Sequence, residues 1–229
     1  REVALMSMLR HENLVTCLGA CTKPGNYFIV QELMKGGSLH QFLHNDGVQW
    51  DLELLVDVAL QIAKPTAYLH NLEIIHRDLK SQNYLLATPN FSQPVIKLTD
   101  FGISRAVESL EEVELEGTPQ WMAPEVFNKE KYDGASDVYS FAIVMWEMVT
   151  KQDPWATVPL WKIPELVTKG ERPPLPPSCP EEFAKLITAC WQTDPSMRPD
   201  FNQITDYLQK LKAGETPKAR ALTNMGSLK

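Results

Sequence analysis

Three short stretches of the chain hold side chains that could act on one substrate. His76-Arg77-Asp78-Leu79-Lys80-Ser81-Gln82-Asn83 places a carboxylate, an amine and an amide within a few residues, Asp100-Phe101-Gly102 adds a second carboxylate, and Ala123-Pro124-Glu125 follows. A carboxylate such as Asp78 stays ionised at neutral pH and is a compact acceptor for the proton of a hydroxyl group. Carboxylate and amide oxygens are also the ligands that a hard divalent cation takes. The residue types therefore suit a hydroxyl brought beside a hard cation.

The surrounding elements must hold these groups in place. Tyr84 to Ala87 and Val95 to Leu98 read as strands between the first two stretches. From Val138 to Val149 the sequence is apolar almost all the way round, which predicts a helix buried on every side. Leu52, Leu55, Val56, Ala59 and Ile62 form an amphipathic stripe that resumes at Leu69, with Pro65 in its path. An interior proline removes a donor and clashes one turn back, at about 3 kcal/mol, so a kink or early end is expected between Gln61 and Pro65. Val3, Met6 and Leu9 recur at helical spacing, and Leu14–Leu18 and Tyr27–Leu33 read as strands joined through Pro24, Gly25 and Asn26. Ser178 and Glu181 have the spacing of a capping box ahead of Phe183, Leu186, Ile187, Cys190 and Trp191, and Phe201, Ile204, Leu208 and Leu211 repeat the stripe.

Composition bounds what these elements can build. The 229 residues suffice for one principal domain, and 44% hydrophobic with 22% charged residues is the balance of a folded soluble chain. The net charge is −7 with no dense Lys/Arg tract, which argues against nucleic acid as a partner. The longest apolar run, Phe141 to Trp146, is too short for a membrane span. Cys17, Cys21, Cys179 and Cys190 show neither a CxxC pair nor zinc-finger spacing, as expected of a reduced cytoplasmic chain. The sequence opens at Arg1 with a helical pattern already under way and reads as cut from something longer.

The ordered set HRDLxxxN, Asp-Phe-Gly and Ala-Pro-Glu resembles the eukaryotic protein kinase signature. The run Gly117-Thr118-Pro119-Gln120-Trp121-Met122 before Ala123 resembles the tyrosine-kinase-like group. The resemblance extends from Glu2 to about Leu211 and implies a kinase domain over 1–211, with 212–229 a flexible tail. The implied fold is α+β, with a nearly complete helical C-lobe and a partial N-lobe of one helix plus a β-hairpin. The implied activity is transfer of the ATP γ-phosphate, with Mg2+, to serine or threonine of protein substrates in signalling, alongside a regulatory protein partner. Phosphoryl transfer asks mainly for positioning and charge neutralisation, and the resemblance divides that work among residues. Asp78 would orient the substrate hydroxyl. Lys80 would touch the transferred phosphate, its position favouring Ser/Thr over Tyr, and Thr118 would bond both Asp78 and Lys80. Asn83 and Asp100 would ligate magnesium. Glu32 and Met34 would present backbone groups to adenine beside a Gln31 gatekeeper, Leu85 would pack beneath the ring, and Glu2 matches the helix glutamate that pairs with a strand lysine. His76 would support Phe101 in a packed stack with Met6 and Cys17. Asp137 would hold the catalytic loop, and Glu125 would pair with Arg198.

The sequence also departs from the pattern. It holds no GxGxxG, and no Val-Ala-Ile-Lys strand precedes Glu2, so the resemblance implies a glutamate without its lysine in this chain and an open edge on the Tyr27–Leu33 strand. Between Gly102 and Gly117 stand Glu108, Glu111, Glu112, Glu114 and Glu116, with Ser104 and Ser109 as the hydroxyls. These carboxylates either stand in for phosphate opposite Arg77 or form a solvated acidic loop. Three function classes compete: a Ser/Thr kinase, a catalytically impaired kinase-like scaffold or binding module, and an inert truncation product.

Overall fold

A computed structural model describes residues 8–21, 23–100, 105–106, 117–130, 132–215, 217 and 222 of the chain. The elements run β1 (Cys17–Cys21), β2 (Phe28–Gln31), α1 (Leu39–Leu43), α2 (Leu52–Asn71), β3 (Ile74–Ile75), β4 (Tyr84–Leu86), β5 (Ile96–Leu98), β6 (Arg105–Ala106), α3 (Pro124–Phe127), α4 (Gly134–Thr150), α5 (Ile163–Thr168), α6 (Glu181–Cys190) and α7 (Phe201–Lys212). The fold is α+β: a helical body carrying small two-stranded sheets, β1 with β2, β3 with β6 and β4 with β5, all antiparallel.

Helix α4 is the centre of the core. Every residue from Ser136 to Met148 is buried, as its all-round apolar sequence predicts. Packing around it are α2 and α6, while α7 lies along α2. Asp200 caps α7 with a full capping box to Gln203.

Helix α2 runs on through Pro65 to Asn71, so the expected early end does not occur. Val58, Ala59, Ile62, Ala63, Thr66 and Leu69 are fully buried along it. Burial of each large apolar side chain contributes about 1.5–3 kcal/mol, so together they outweigh the single proline's cost of about 3 kcal/mol. The expected capping box at Ser178 is also absent. Helix α6 begins at Glu181 with Pro180 at its N-cap and no side-chain cap bond, and Glu181 and Glu182 in its first turn complement the helix dipole instead.

The first strand begins later than the sequence suggests. Residues 13–15 pair with β5 rather than with the hairpin: Leu98 N–H donates to Asn13 O at 2.8 Å and Val15 N–H to Leu98 O at 2.9 Å. That contact ties the hairpin's entry to the strand that leads to Asp100. Tyr27 and Leu33 fall outside β2, and both are exposed. Among the described residues the hairpin sheet has two strands, with Leu18, Phe28 and Val30 exposed on it.

The segment after β2 is stitched to β4. Lys35 N–H donates to Ala87 O, Gly36 N–H to Leu86 O and Leu86 N–H to Gly37 O, at 3.1, 2.9 and 2.8 Å. Gly36 is required by this approach, because a Cβ there would lie 2.4 Å from Thr88 O and 2.5 Å from Leu86 Cβ. The opening helix pattern, apart from its end near Met8, lies outside the described residues. Of the stretch expected to be a loose tail, Pro217 and Leu222 are buried, and Leu222 joins the hydrophobic core cluster.

Candidate active site

The loop between β3 and β4 carries most of the chemistry, and its shape is imposed from below by Asp137. This fully buried carboxylate in the first turn of α4 accepts the N–H of His76 at Oδ2 and the N–H of Arg77 at Oδ1, both at 2.9 Å, and the ring Nε2 of His70 lies 2.8 Å from Oδ2. Burial pushes the Asp137 carboxyl up. The His70 bond and the nearby His70 and His76 rings outweigh that push and hold it below the ordinary carboxylate range. The clamp holds Arg77 at a φ of +75°, a left-handed backbone that costs a non-glycine residue on the order of 1–3 kcal/mol. The fully buried His76 ring sits with Nε2 3.1 Å from Thr99 O, and burial lowers its pKa, so it packs as a neutral ring.

Above this clamp, Asp78, Lys80 and Thr118 form a closed triangle. Lys80 Nζ reaches Asp78 Oδ2 at 2.5 Å and Thr118 Oγ1 at 2.9 Å, and the Thr118 hydroxyl donates to Asp78 Oδ1 at 2.9 Å. Gly117, at a φ of +119°, lets the chain bring Thr118 in; a Cβ at that position would lie 3.1 Å from Arg77 O. Asn83 adds two further contacts, its Nδ2 donating to Asp78 O at 2.8 Å and to Asp78 Oδ2 at 3.1 Å.

Strand register brings Asp100 to the same end. Tyr84 pairs with Leu98, so Asn83 stands opposite Thr99, whose N–H donates to Asn83 O at 2.9 Å, and Asp100 follows at once. Asp100 is exposed and turns the chain with a φ of +63°. Asn83 spends its amide nitrogen on Asp78, and its side-chain oxygen and the Asp100 carboxylate belong to residues at this same end of the strand pair. That pairing of amide and carboxylate oxygen is a donor set that fits a hard cation such as Mg2+.

The residues expected around adenine lie next to one another. The Glu32 N–H is taken by Thr16 O at 3.0 Å and its carboxylate by Lys97 Nζ at 2.7 Å and Thr16 N–H at 2.8 Å, so its carbonyl is the group left for a ligand. Partial burial raises the Glu32 carboxyl's pKa, and these bonds more than reverse the shift. Met34 and Leu85 are half-buried, and an antiparallel bridge from Ser38 to Leu85 holds the segment after Met34 against β4. Gln31 is half-buried opposite Cys17, which is itself buried. Glu2, Met6, Phe101, Gly102 and the acidic stretch from Glu108 to Glu116 lie outside the described residues.

The scaffold pair is present as a buried fork. Arg198 donates from Nη1 to Glu125 Oε1 at 2.6 Å and from Nη2 to Glu125 Oε2 at 2.8 Å. Both side chains are buried, and the same guanidinium bonds Gln192 O and Ala135 O.

One residue escaped the sequence reading. Glu147 is buried on α4, accepting from Ser81 Oγ at 2.6 Å and from Trp121 Nε1 at 2.8 Å. It joins the Asp78 loop to the segment after Thr118. Burial pushes its carboxyl up to about 8. The available signal was a lone acid in an apolar helix, which has no reason to be there without buried donors.

Residues 1–208 match the family model described as protein tyrosine and serine/threonine kinase. The chain is 40% identical over 213 residues to the serine/threonine-protein kinase STY17 of Arabidopsis thaliana, an alignment covering 92% of this chain and 37% of that protein. It is 38% identical over 230 residues to the serine/threonine-protein kinase STY46 of the same plant, covering 99% and 39%. A probable serine/threonine-protein kinase of Dictyostelium discoideum, drkC, is 39% identical over 220 residues, covering 92% and 29%. The chain thus spans well under half the length of each of these relatives.

Proposed function

Because the chain belongs to the protein tyrosine and serine/threonine kinase family, we propose that it transfers the γ-phosphate of ATP to serine or threonine hydroxyls of protein substrates. The observation that carries this reading is the triangle of Asp78, Lys80 and Thr118 beside Asn83. When bound, Mg2+ and ATP supply a phosphoryl group whose spread negative charge must be neutralised during transfer. In this chain Asn83 and Asp100 are the residues to hold the cation. Asp78 orients the incoming hydroxyl and accepts its proton. Lys80 places a positive charge where the transferred group passes, and Thr118 fixes both partners at the distances given above. Glu32 and Met34 offer backbone groups to the base, with Leu85 beneath it. The names of the three relatives favour serine and threonine over tyrosine. No helix among the described residues is long and apolar enough to cross a membrane. The free thiols of Cys17, Cys21, Cys179 and Cys190 suit a reducing cytoplasmic setting.

The test is transfer of labelled phosphate from Mg-ATP to peptides that differ only in carrying Ser, Thr or Tyr, assayed with the 229-residue chain and with any longer natural product that contains it. Label is expected on Ser and Thr, and Asp78→Asn should lower kcat by roughly a hundredfold or more. Nucleotide binding without transfer would instead assign a kinase-like binding module, and turnover that survives Asp78→Asn would remove the role of Asp78.

A further inference from the structure

Among the described residues outside the triangle, one cluster has the chemistry of a metal site. His40 lies on α1 and His44 caps its end, one turn apart, and Asp153 approaches them from the loop after α4. One ligand atom from each of the three lies within 4.8 Å of the other two. His40 Nε2 is 2.7 Å from Asp153 Oδ1, and the two imidazole rings are 4.4 Å apart at their centroids. We propose that His40, His44 and Asp153 form a binding site for a first-row transition-metal ion, Zn2+ in the first instance.

A backbone contact sets the tautomer of His44. His44 Nδ1 is 2.8 Å from the backbone oxygen of His40, and a carbonyl can only accept. Nδ1 therefore carries the hydrogen, and the neutral ring turns its lone pair out through Nε2. A backbone carbonyl fixing one ring nitrogen so that the other can ligate is the usual support of a metal-bound histidine. Two imidazoles and one carboxylate select Zn2+ and its neighbours over Mg2+ or Ca2+, which want oxygen alone.

The reach is small. Bonds of about 2.0–2.1 Å in tetrahedral geometry put ligand atoms about 3.3 Å apart. The His40–Asp153 pair need open only slightly, and the exposed Asp153 side chain can close toward His44 by rotation. Three protein ligands leave the fourth position open to water or a ligand group. The site lies on the rim of a cleft of about 720 Å³ that His40 and Asp153 line together with Lys80 and Thr118. Metal would therefore tie α1 to the loop after α4, across 113 residues of sequence, on the cleft that Lys80 and Thr118 share.

The experiment is calorimetric titration of the tag-free, metal-free 229-residue chain with ZnCl2 at neutral pH, repeated with Co2+ followed by its visible absorption. We expect one equivalent bound, a thermal midpoint that rises with Zn2+, and no competition from Mg2+ in large excess. The exposed change His44→Gln should weaken binding by about tenfold or more, with the metal-free midpoint unchanged. The pair His40→Gln/His44→Gln should remove the site. Equal affinity in His44→Gln, or uptake abolished by alkylating the cysteines but retained in the double variant, would overturn the proposal. So would failure of the parent chain to bind.

Discussion

The hydroxyl of Thr118 donates to Asp78 Oδ1 at 2.9 Å, joining two segments 40 residues apart. The Thr118 hydroxyl oxygen also accepts from Lys80 Nζ, so one small side chain holds both the acid and the amine. Removing it takes one bond from each and leaves the direct Lys80–Asp78 contact without its third corner. A hydrogen bond to a charged group contributes about 1.5–3 kcal/mol. If that contribution is made in the transition state, Thr118→Ala should lower kcat roughly 10- to 150-fold. Thr118→Ser keeps the hydroxyl and should retain most of the rate. Steady-state transfer to a serine peptide measures both, and equal loss in the two variants would show that the methyl group, not the bond, matters.

Asn83 performs two tasks that a single substitution separates. Its nitrogen holds Asp78, and its oxygen is the proposed cation ligand. Asn83→Ala should raise the Mg2+ concentration needed for half-maximal nucleotide binding by roughly tenfold, since it removes an oxygen ligand. Asn83→Asp restores an oxygen but not the donor, so Mg2+ dependence should recover more than turnover does. Fluorescent-nucleotide binding against Mg2+ reads the first effect, and peptide phosphorylation reads the second.

Arg198 and Glu125 should matter for folding before chemistry. Arg198→Ala leaves the Glu125 carboxylate buried without its fork and strands the Gln192 and Ala135 carbonyls. Breaking a buried pair in this way costs about 3–5 kcal/mol. At the usual scaling for a domain of this size, the thermal midpoint should drop by roughly 6–20 °C. Differential scanning calorimetry measures it, and a variant as stable as the parent yet inactive would assign the pair to catalysis.

Much of this architecture was legible because local pattern and tertiary demand agreed. Val138 to Val149 is apolar almost all round, and every residue from Val138 to Met148 is buried. The two strands between the Asp78 and Asp100 stretches lie within the runs expected of them, at Tyr84–Leu86 and Ile96–Leu98. Misreadings occur where a nonlocal contact outbids a local rule. Pro65 sits inside a continuous helix because its neighbours are buried along the whole of α2. Ser178 does not cap because Pro180 starts the helix two residues later. Leu14 and Val15 leave the hairpin because Leu98 of β5 takes the backbone groups of Asn13 and Val15 on either side of Leu14. The triangle itself was readable only through its motif spacing; nothing local to Thr118 says that it meets residues some forty positions away.

Glu147 yields a prediction that depends on sign. Its carboxyl is held at about 8 in the folded protein by burial, against an ordinary value near 4.5 when unfolded. Between those values the folded state binds one proton more than the unfolded state, so this group makes stability fall as pH rises, by up to about 1.4 kcal/mol per pH unit. Its contribution is full below pH 4.5 and is lost as pH rises through 8. A neutral glutamine preserves the geometry: its amide N–H can donate to Ser81 Oγ while its oxygen accepts from Trp121 Nε1. Glu147→Gln should therefore fold and should flatten the dependence of thermal midpoint on pH between 5 and 8. Relative to the parent it gains most at the alkaline end. Because every other titrating group is common to both proteins, the difference between the two pH profiles isolates this carboxyl. Parallel profiles would mean that Glu147 is ionised in the fold and accepts both donors as a carboxylate, and in that case Glu147→Gln would destabilise the protein equally at every pH by leaving one of those donors without its acceptor.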